Sequence, residues 1–155
     1  MTRFAICNET FGDWPWERVC RLVAETGYQG IEIAPFTFGN AVTDVSAEQR
    51  RSIRRVAADH GLEIVGLHWL LASPKGLHIH SRDAALRAKT VDYLRALIDF
   101  AGDVGAPVMV FGSPGQRRLE DGDQQGAWER IQDSYRQVLD HLAERQVLLC
   151  QESHQ

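Results

Sequence analysis

The sequence predicts an α/β protein of the (βα)8-barrel type, as an incomplete barrel of about five parallel strands and four helices. Five short apolar runs alternate with four amphipathic stretches along the 155 residues. Such alternation requires parallel strands with right-handed crossovers, in a barrel or an open doubly wound sheet. The first strand lacks the glycine fingerprint of a nucleotide site, and polar residues end strands one, two, three and five. A barrel gathers its active site at these carboxyl ends, so we favour the barrel.

The composition indicates one globular domain over residues 1–155. Hydrophobic residues make up 44% of the chain and charged residues 25%, the profile of an ordinary soluble protein. No apolar run approaches the roughly 20 residues of a membrane span, and no signal peptide precedes the first strand, so we expect a cytoplasmic protein. A net charge of −4 gives no general attraction to nucleic acid or membranes. The three cysteines, Cys7, Cys20 and Cys150, are expected to be reduced and to pack as small core residues.

Start and stop signals separate the first elements. The predicted strands cover residues 4–8, 30–34, 62–68, 107–111 and 147–152. Asp13 with Pro15 marks the start of the first helix. Ser46 and Gln49 form a capping box that opens the second helix, and Gly61 closes it.

Two longer amphipathic stretches predict the third and fourth helices. The buried stripe of the third helix is expected to contain Val91, Leu94, Ile98 and Ala101, and Gly105 ends that helix. The fourth helix is expected to carry Trp128, Ile131, Tyr135, Val138 and Leu142 on one side. The fifth strand then ends on Glu152, which would bring one carboxylate to the active-site edge of the barrel.

Several short motifs resemble the xylose isomerase-like TIM barrels, the sugar phosphate isomerase/epimerase superfamily. Strand three ends in Gly66-Leu67-His68-Trp69 and strand five in Gln151-Glu152. The segment Thr26-Gly27-Tyr28-Gln29-Gly30-Ile31-Glu32-Ile33 resembles the family's second-strand pattern, and Phe111-Gly112-Ser113-Pro114 fits its turn after strand four. The resemblance covers the whole chain, which would form the N-terminal portion of such a barrel.

The resemblance implies a divalent metal, Mn²⁺ or Mg²⁺, and a proton transfer through an enediolate. In the family a Glu after strand five binds the metal together with an Asp, a His and a second Glu from later strands. Only Glu152 matches this set, as metal ligand and catalytic base in a complete barrel, and the other ligands would lie beyond Gln155. Such ions are usually bound by about six donor atoms, so we expect this chain alone to bind neither ion tightly. Glu152 would then lie at a solvent-facing terminus.

Three polar residues are candidates for substrate binding. His68 would hydrogen-bond a substrate hydroxyl or support the metal, or it would be a core-edge histidine bonded to a backbone carbonyl. Glu32 and Glu9 would point to the same barrel mouth and touch substrate, or they would pair with neighbouring basic side chains. The sequence leaves these alternatives open.

Three aromatic residues are also candidates. Phe11 and Trp14, in the loop after strand one, would form an apolar wall over a sugar, as aromatic residues of that loop do in the family's epimerases. Packing on the first helix is the alternative. Trp69 has the same two interpretations.

The sequence is compatible with three functions. The first is an isomerase or epimerase acting on a small sugar, sugar phosphate or keto acid. The second is a catalytically inactive partial barrel, because five parallel strands cannot close and their free edges favour self-association or a missing C-terminal half. The third is an apurinic-site endonuclease, which would use His68 but needs a second histidine where Gly112 stands. The net charge of this chain is also wrong for a DNA-binding protein.

Overall fold

The computed structural model describes residues 2–119 and 122–152. Its centre is a parallel sheet in the order β1-β2-β3-β4-β5, so each strand pairs with its neighbours along the chain. The strands are β1 Ala5–Cys7, β2 Gly30–Ile33, β3 Glu63–Leu67, β4 Val108–Phe111 and β5 Leu148–Gln151. The predicted partial barrel of five parallel strands is confirmed.

Within the described residues the connections contain five α-helices rather than the four predicted. They are α1 Trp16–Glu25, α2 Ala47–Asp59, α3 Ala84–Val104, α4 Gln124–Arg136 and α5 Leu139–Arg145. The predicted fourth helix is divided because Val138 leaves the helical conformation, with φ −116° and ψ 0°. None of the helices described is long and apolar enough to cross a membrane.

The apolar side predicted for the fourth helix packs on the core except at Trp128, because Ile131 and Tyr135 contact the hydrophobic core and Val138 and Leu142 are buried. The buried residues of α4 are Ala127 and Ser134, seven positions apart and therefore on one helix face. Trp128 lies about 100° further around the helix and is 59% exposed. Trp128 therefore does not share the burial of the other residues predicted on that side of the helix.

Helix α3 forms the centre of the hydrophobic core. Leu97, Phe100 and Ala101 on this helix are fully buried, and the helix packs against α2, α5 and the middle strands. The predicted capping box at the start of α2 is present, because the Ser46 hydroxyl accepts from the Gln49 amide and the Gln49 side chain accepts from the Ser46 amide. Helices α2, α3 and α5 all pack against strands of the sheet.

Replacing Gln146 with glycine is expected to stabilise the protein. Gln146 caps α5 in the left-handed conformation, with φ 55°, which costs a residue with a Cβ roughly 1–2 kcal/mol. Glycine avoids this cost but loses more entropy on folding, so we expect Gln146→Gly to raise the free energy of unfolding by about 0.5–1 kcal/mol in urea denaturation. Ala143→Gly, inside α5, is the control and should lower it by about 1 kcal/mol. An equal decrease in the free energy of unfolding in both variants would contradict this account.

Candidate active site at the carboxyl ends of the strands

A cleft of about 350 Å³ opens at the carboxyl ends of the strands. Four of the residues predicted from the sequence line it together, although they come from three different strand ends. The full lining is Glu32, His68, Trp69, Val110, Gly112, Pro114 and Glu152. The cleft therefore has two carboxylates, an imidazole and an indole on its wall.

His68 lies at the centre of a cluster of polar side chains. Its Nδ1 lies 2.8 Å from Glu32 Oε2 and its Nε2 lies 3.7 Å from Glu9 Oε2. The Nε2 also lies 2.8 Å from the sulfur of Cys7. The structure thus brings both predicted glutamates to His68, and the polar partners of its ring are side chains rather than a backbone carbonyl.

The surroundings of His68 favour its charged form. Burial alone would lower the pKa of this imidazole, but hydrogen bonds to Cys7 and Glu32 and the electrostatic attraction of both groups outweigh that effect. Together they raise the pKa of His68 from 6.5 to about 10. In the absence of a bound cation His68 is therefore positively charged at neutral pH and gives the cleft wall a positive centre.

Stability should depend on pH through His68. The pKa of this group is higher in the folded chain, about 10, than its ordinary value of 6.5, so its stabilising effect is complete below pH 6.5 and is lost as pH rises through 10. We expect the difference in free energy of unfolding between wild type and His68→Gln, measured in urea with EDTA present, to shrink across this range. A difference that grows with pH would contradict the ion pair.

The backbone explains how Glu32 reaches His68. The register between β2 and β3 shifts between Ile31 and Glu32, so that Glu32 faces Gly66. Bulges of this kind commonly re-aim a side chain beside an active site. A Cβ at position 66 would lie 3.0 Å from the Val108 carbonyl, so glycine there allows β4 to approach closely.

Glu152 follows β5 and is held to the end of β4. Its amide donates to the Phe111 carbonyl at 3.1 Å, which extends the β4–β5 pairing by one residue. Gly112 makes room for its side chain, because a methyl group at position 112 would overlap the Glu152 carboxylate. This exposed carboxylate lies on the cleft with Glu32 and His68.

Trp69 covers one side of the cleft in an unusual backbone conformation. Its φ of 55° is left-handed, which is rare for a bulky residue and often marks a functional position. The side chain remains 40% exposed. It is therefore placed as an apolar wall that a ligand could contact.

Phe11 and Trp14 lie apart from this cleft. Their rings are 6.1 Å apart, and the Arg18 guanidinium lies 3.5 Å from the Trp14 ring centre. Trp14 lines a neighbouring pocket of about 330 Å³ together with Asn8 and Phe38. Phe11 packs against the hydrophobic core.

Cys7 is the residue of the cluster that the sequence analysis did not place at the site. The prediction of a small core residue holds for Cys20, which is fully buried, but not for Cys150, which is exposed, or for the half-buried Cys7. Cys7 ends β1 and pairs in register with Glu32 on β2. The sequence offered one sign of this position: Cys7 lies near the end of the first predicted strand, and the next predicted strand carries Glu32 near its own end.

The fold and cleft together define the class of protein: a parallel α/β partial barrel with its polar cleft at the carboxyl ends of the strands. A family model described as the xylose isomerase-like TIM barrel matches residues 20–155. The chain belongs to this family. No curated protein sequence matches it.

Several solved structures share the fold. A D-psicose 3-epimerase crystallised with D-fructose superposes with a TM-score of 0.77 at 17% identity, covering 96% of this chain and 51% of that one. A 3-keto-D-glucoside 4-epimerase from E. coli gives 0.73 at 13% identity, covering 97% and 56%. An L-ribulose 3-epimerase gives 0.72 at 20% identity, covering 96% and 48%. The chain therefore spans about half the length of these proteins.

Proposed function

We propose that the protein is a metal-dependent isomerase or epimerase that acts on a small sugar, sugar phosphate or keto acid by proton transfer through an enediolate. The observation that carries this proposal is the cleft itself, because Glu32, His68 and Glu152 all line it. Family membership and the epimerases among the structures of the same fold support it.

The proposed chemistry assigns a task to each residue of the cleft. Glu152 removes a proton from the carbon next to the substrate carbonyl, because a carboxylate at the cleft wall can serve as a general base. The enediolate is then reprotonated on the neighbouring carbon to give the isomer, or on the opposite face of the same carbon by a second acid to give the epimer. The positive charge at His68 stabilises the oxygen on which negative charge develops. Glu32 and Glu9 accept hydrogen bonds from substrate hydroxyls, and Trp69 packs against the apolar face of the sugar ring.

The described residues do not by themselves complete the Mn²⁺ or Mg²⁺ site that the family resemblance implies. Such ions want about six oxygen or nitrogen donors, and Glu152 joins no group of three potential ligands within residues 2–119 and 122–152. Glu152 fits as one oxygen ligand, and the others would come from elsewhere. When bound, the ion would supply positive charge for the enediolate oxygens.

An assay of ketose conversion tests the proposal. The protein in its natural full-length form would be incubated with D-fructose, D-psicose and L-ribulose, the sugars named for the proteins of the same fold. Products would be separated by chromatography, with EDTA and then with added Mn²⁺. We expect an epimer or isomer that forms with Mn²⁺ and not with EDTA, and conversion unaffected by EDTA would contradict metal dependence.

A second candidate function is a partial barrel that is inactive without a partner chain. Among the strands described, β1 and β5 are the edges of the sheet, and near these edges Phe4 is 63% and Leu148 65% exposed. Unpaired edges with apolar side chains favour association. Sedimentation of the purified 155-residue chain should then show concentration-dependent oligomers, and a monomer at all concentrations would contradict self-association.

A further inference from the structure

The end of β5 is tied to helix α4 by the side chain of Gln151. The Tyr135 hydroxyl on α4 donates to Gln151 Oε1 at 2.6 Å. The amide nitrogen of Gln151 in turn donates to the Phe111 carbonyl at 3.0 Å and to the Glu152 carbonyl at 3.1 Å. We propose that Tyr135 and Gln151 are positioning residues that hold Glu152 at the cleft, an inference that rests on the proposed function of this carboxylate as the base.

The hydrogen-bonding groups around Gln151 fix the orientation of its amide. The Phe111 and Glu152 carbonyls can only accept hydrogen bonds, so the NH2 group with its two hydrogens faces them. The Oε1 atom then faces α4, where the Tyr135 hydroxyl provides a donor. The reversed amide would place its oxygen against two carbonyl oxygens. The hydroxyl and the two carbonyls therefore select the same orientation.

Tyr135 itself is held by packing. Its ring meets the Phe111 ring edge-on, with centroids 5.8 Å apart and an angle of 81° between the planes, a favoured aromatic arrangement. The Tyr135 side chain also packs against the hydrophobic core, and Phe111 is buried at the end of β4. The hydroxyl therefore reaches Gln151 from a fixed position, and one tyrosine contacts the ends of both β4 and β5.

These contacts converge on the backbone of Glu152. The Phe111 carbonyl accepts from the Glu152 amide at 3.1 Å as well as from Gln151 Nε2, which uses both of its lone pairs. The amide and the carbonyl of Glu152 are thus both hydrogen-bonded next to the side chain that lines the cleft. Because displacing a reacting group by about 1 Å can lower a rate by about 10²-fold, a fixed backbone at this residue matters for a general base.

Hydrogen exchange followed by NMR tests the contacts without any measurement of turnover. Tyr135→Phe removes the hydroxyl but keeps the ring against Phe111. We expect the Glu152 amide to exchange about 3–10-fold faster in this variant, the effect of losing one hydrogen bond of ordinary strength. The amide of Leu97, in the buried part of α3, should exchange at the wild-type rate.

Steady-state kinetics of ketose conversion show whether these contacts act through Glu152. We expect Tyr135→Phe to lower kcat by about 10-fold, and Gln151→Ala, which loses all three hydrogen bonds, by about 10²-fold, both with KM little changed. In the Glu152→Gln background neither substitution should lower the rate further, because the group that they position is already lost.

Tyr28→Phe is the matched control. Tyr28 packs against the hydrophobic core, and its hydroxyl bonds to no residue in 2–119 or 122–152, so this variant should match wild type in exchange and in kcat. Unchanged exchange at Glu152 in Tyr135→Phe, or losses of rate that add fully to that of Glu152→Gln, would overturn the inference. If the wild type converts no ketose, the proposed function fails, and the exchange result still decides whether Tyr135 and Gln151 hold the end of β5.

Discussion

Glu152→Gln is expected to lower the rate of ketose interconversion by about 10²–10⁴-fold, the usual contribution of a positioned general base. Glutamine keeps the size of the side chain but cannot accept the proton. Because Glu152 lies at the exposed end of β5, the free energy of unfolding should hardly change. The measurement is the initial rate with Mn²⁺ at a fixed ketose concentration, together with a urea denaturation curve.

Glu25→Gln is the control for the loss of one carboxylate. Glu25 is exposed at the end of α1, so this variant should retain the wild-type rate. The assignment of Glu152 would be wrong if Glu152→Gln remained as active as Glu25→Gln.

Gly112→Ala is expected to reduce the rate by about 10²-fold, because displacing a reacting group by about 1 Å can have an effect of this size. A methyl group at position 112 would overlap the Glu152 carboxylate and push it from its place at the end of β4. Gly112 has no positive φ, so alanine introduces no backbone strain. The loss should appear in kcat, with the melting temperature little changed.

Gly115→Ala provides the matched control three residues further along the same loop. A Cβ at position 115 meets no atom within 4 Å, so the variant should behave as wild type. If Gly115→Ala and Gly112→Ala lost the same activity, loop perturbation rather than contact with Glu152 would explain the loss.

Much of the fold was predictable from local pattern. Short apolar runs alternating with helical periodicity specify parallel strands, and the ends of parallel strands lie on one edge of the sheet. That rule is sufficient to predict that Glu32, His68 and Glu152 lie near one another. The division between α4 and α5 was not predictable, because no glycine or proline marks it, and at the break Val138 is buried in a non-helical conformation.

Details of the site depend on contacts that a single sequence does not show. The approach of Cys7 to His68 follows from the pairing of β1 with β2 and from a shift in register next to Glu32. The left-handed backbone of Trp69 is unexpected for a bulky residue, because steric repulsion disfavours it. Gly112 was recognised as part of a turn, but its role in making room for Glu152 requires the strand pairing.

Incorporation of deuterium from solvent tests the central claim most directly. The protein would be incubated in D₂O with a ketose that it converts, and the product examined by proton NMR. If Glu152 transfers a proton through an enediolate, deuterium will appear at the carbon next to the carbonyl. Product that forms without deuterium at that carbon would contradict a proton transfer through Glu152, because the carboxyl proton of this exposed side chain exchanges with solvent.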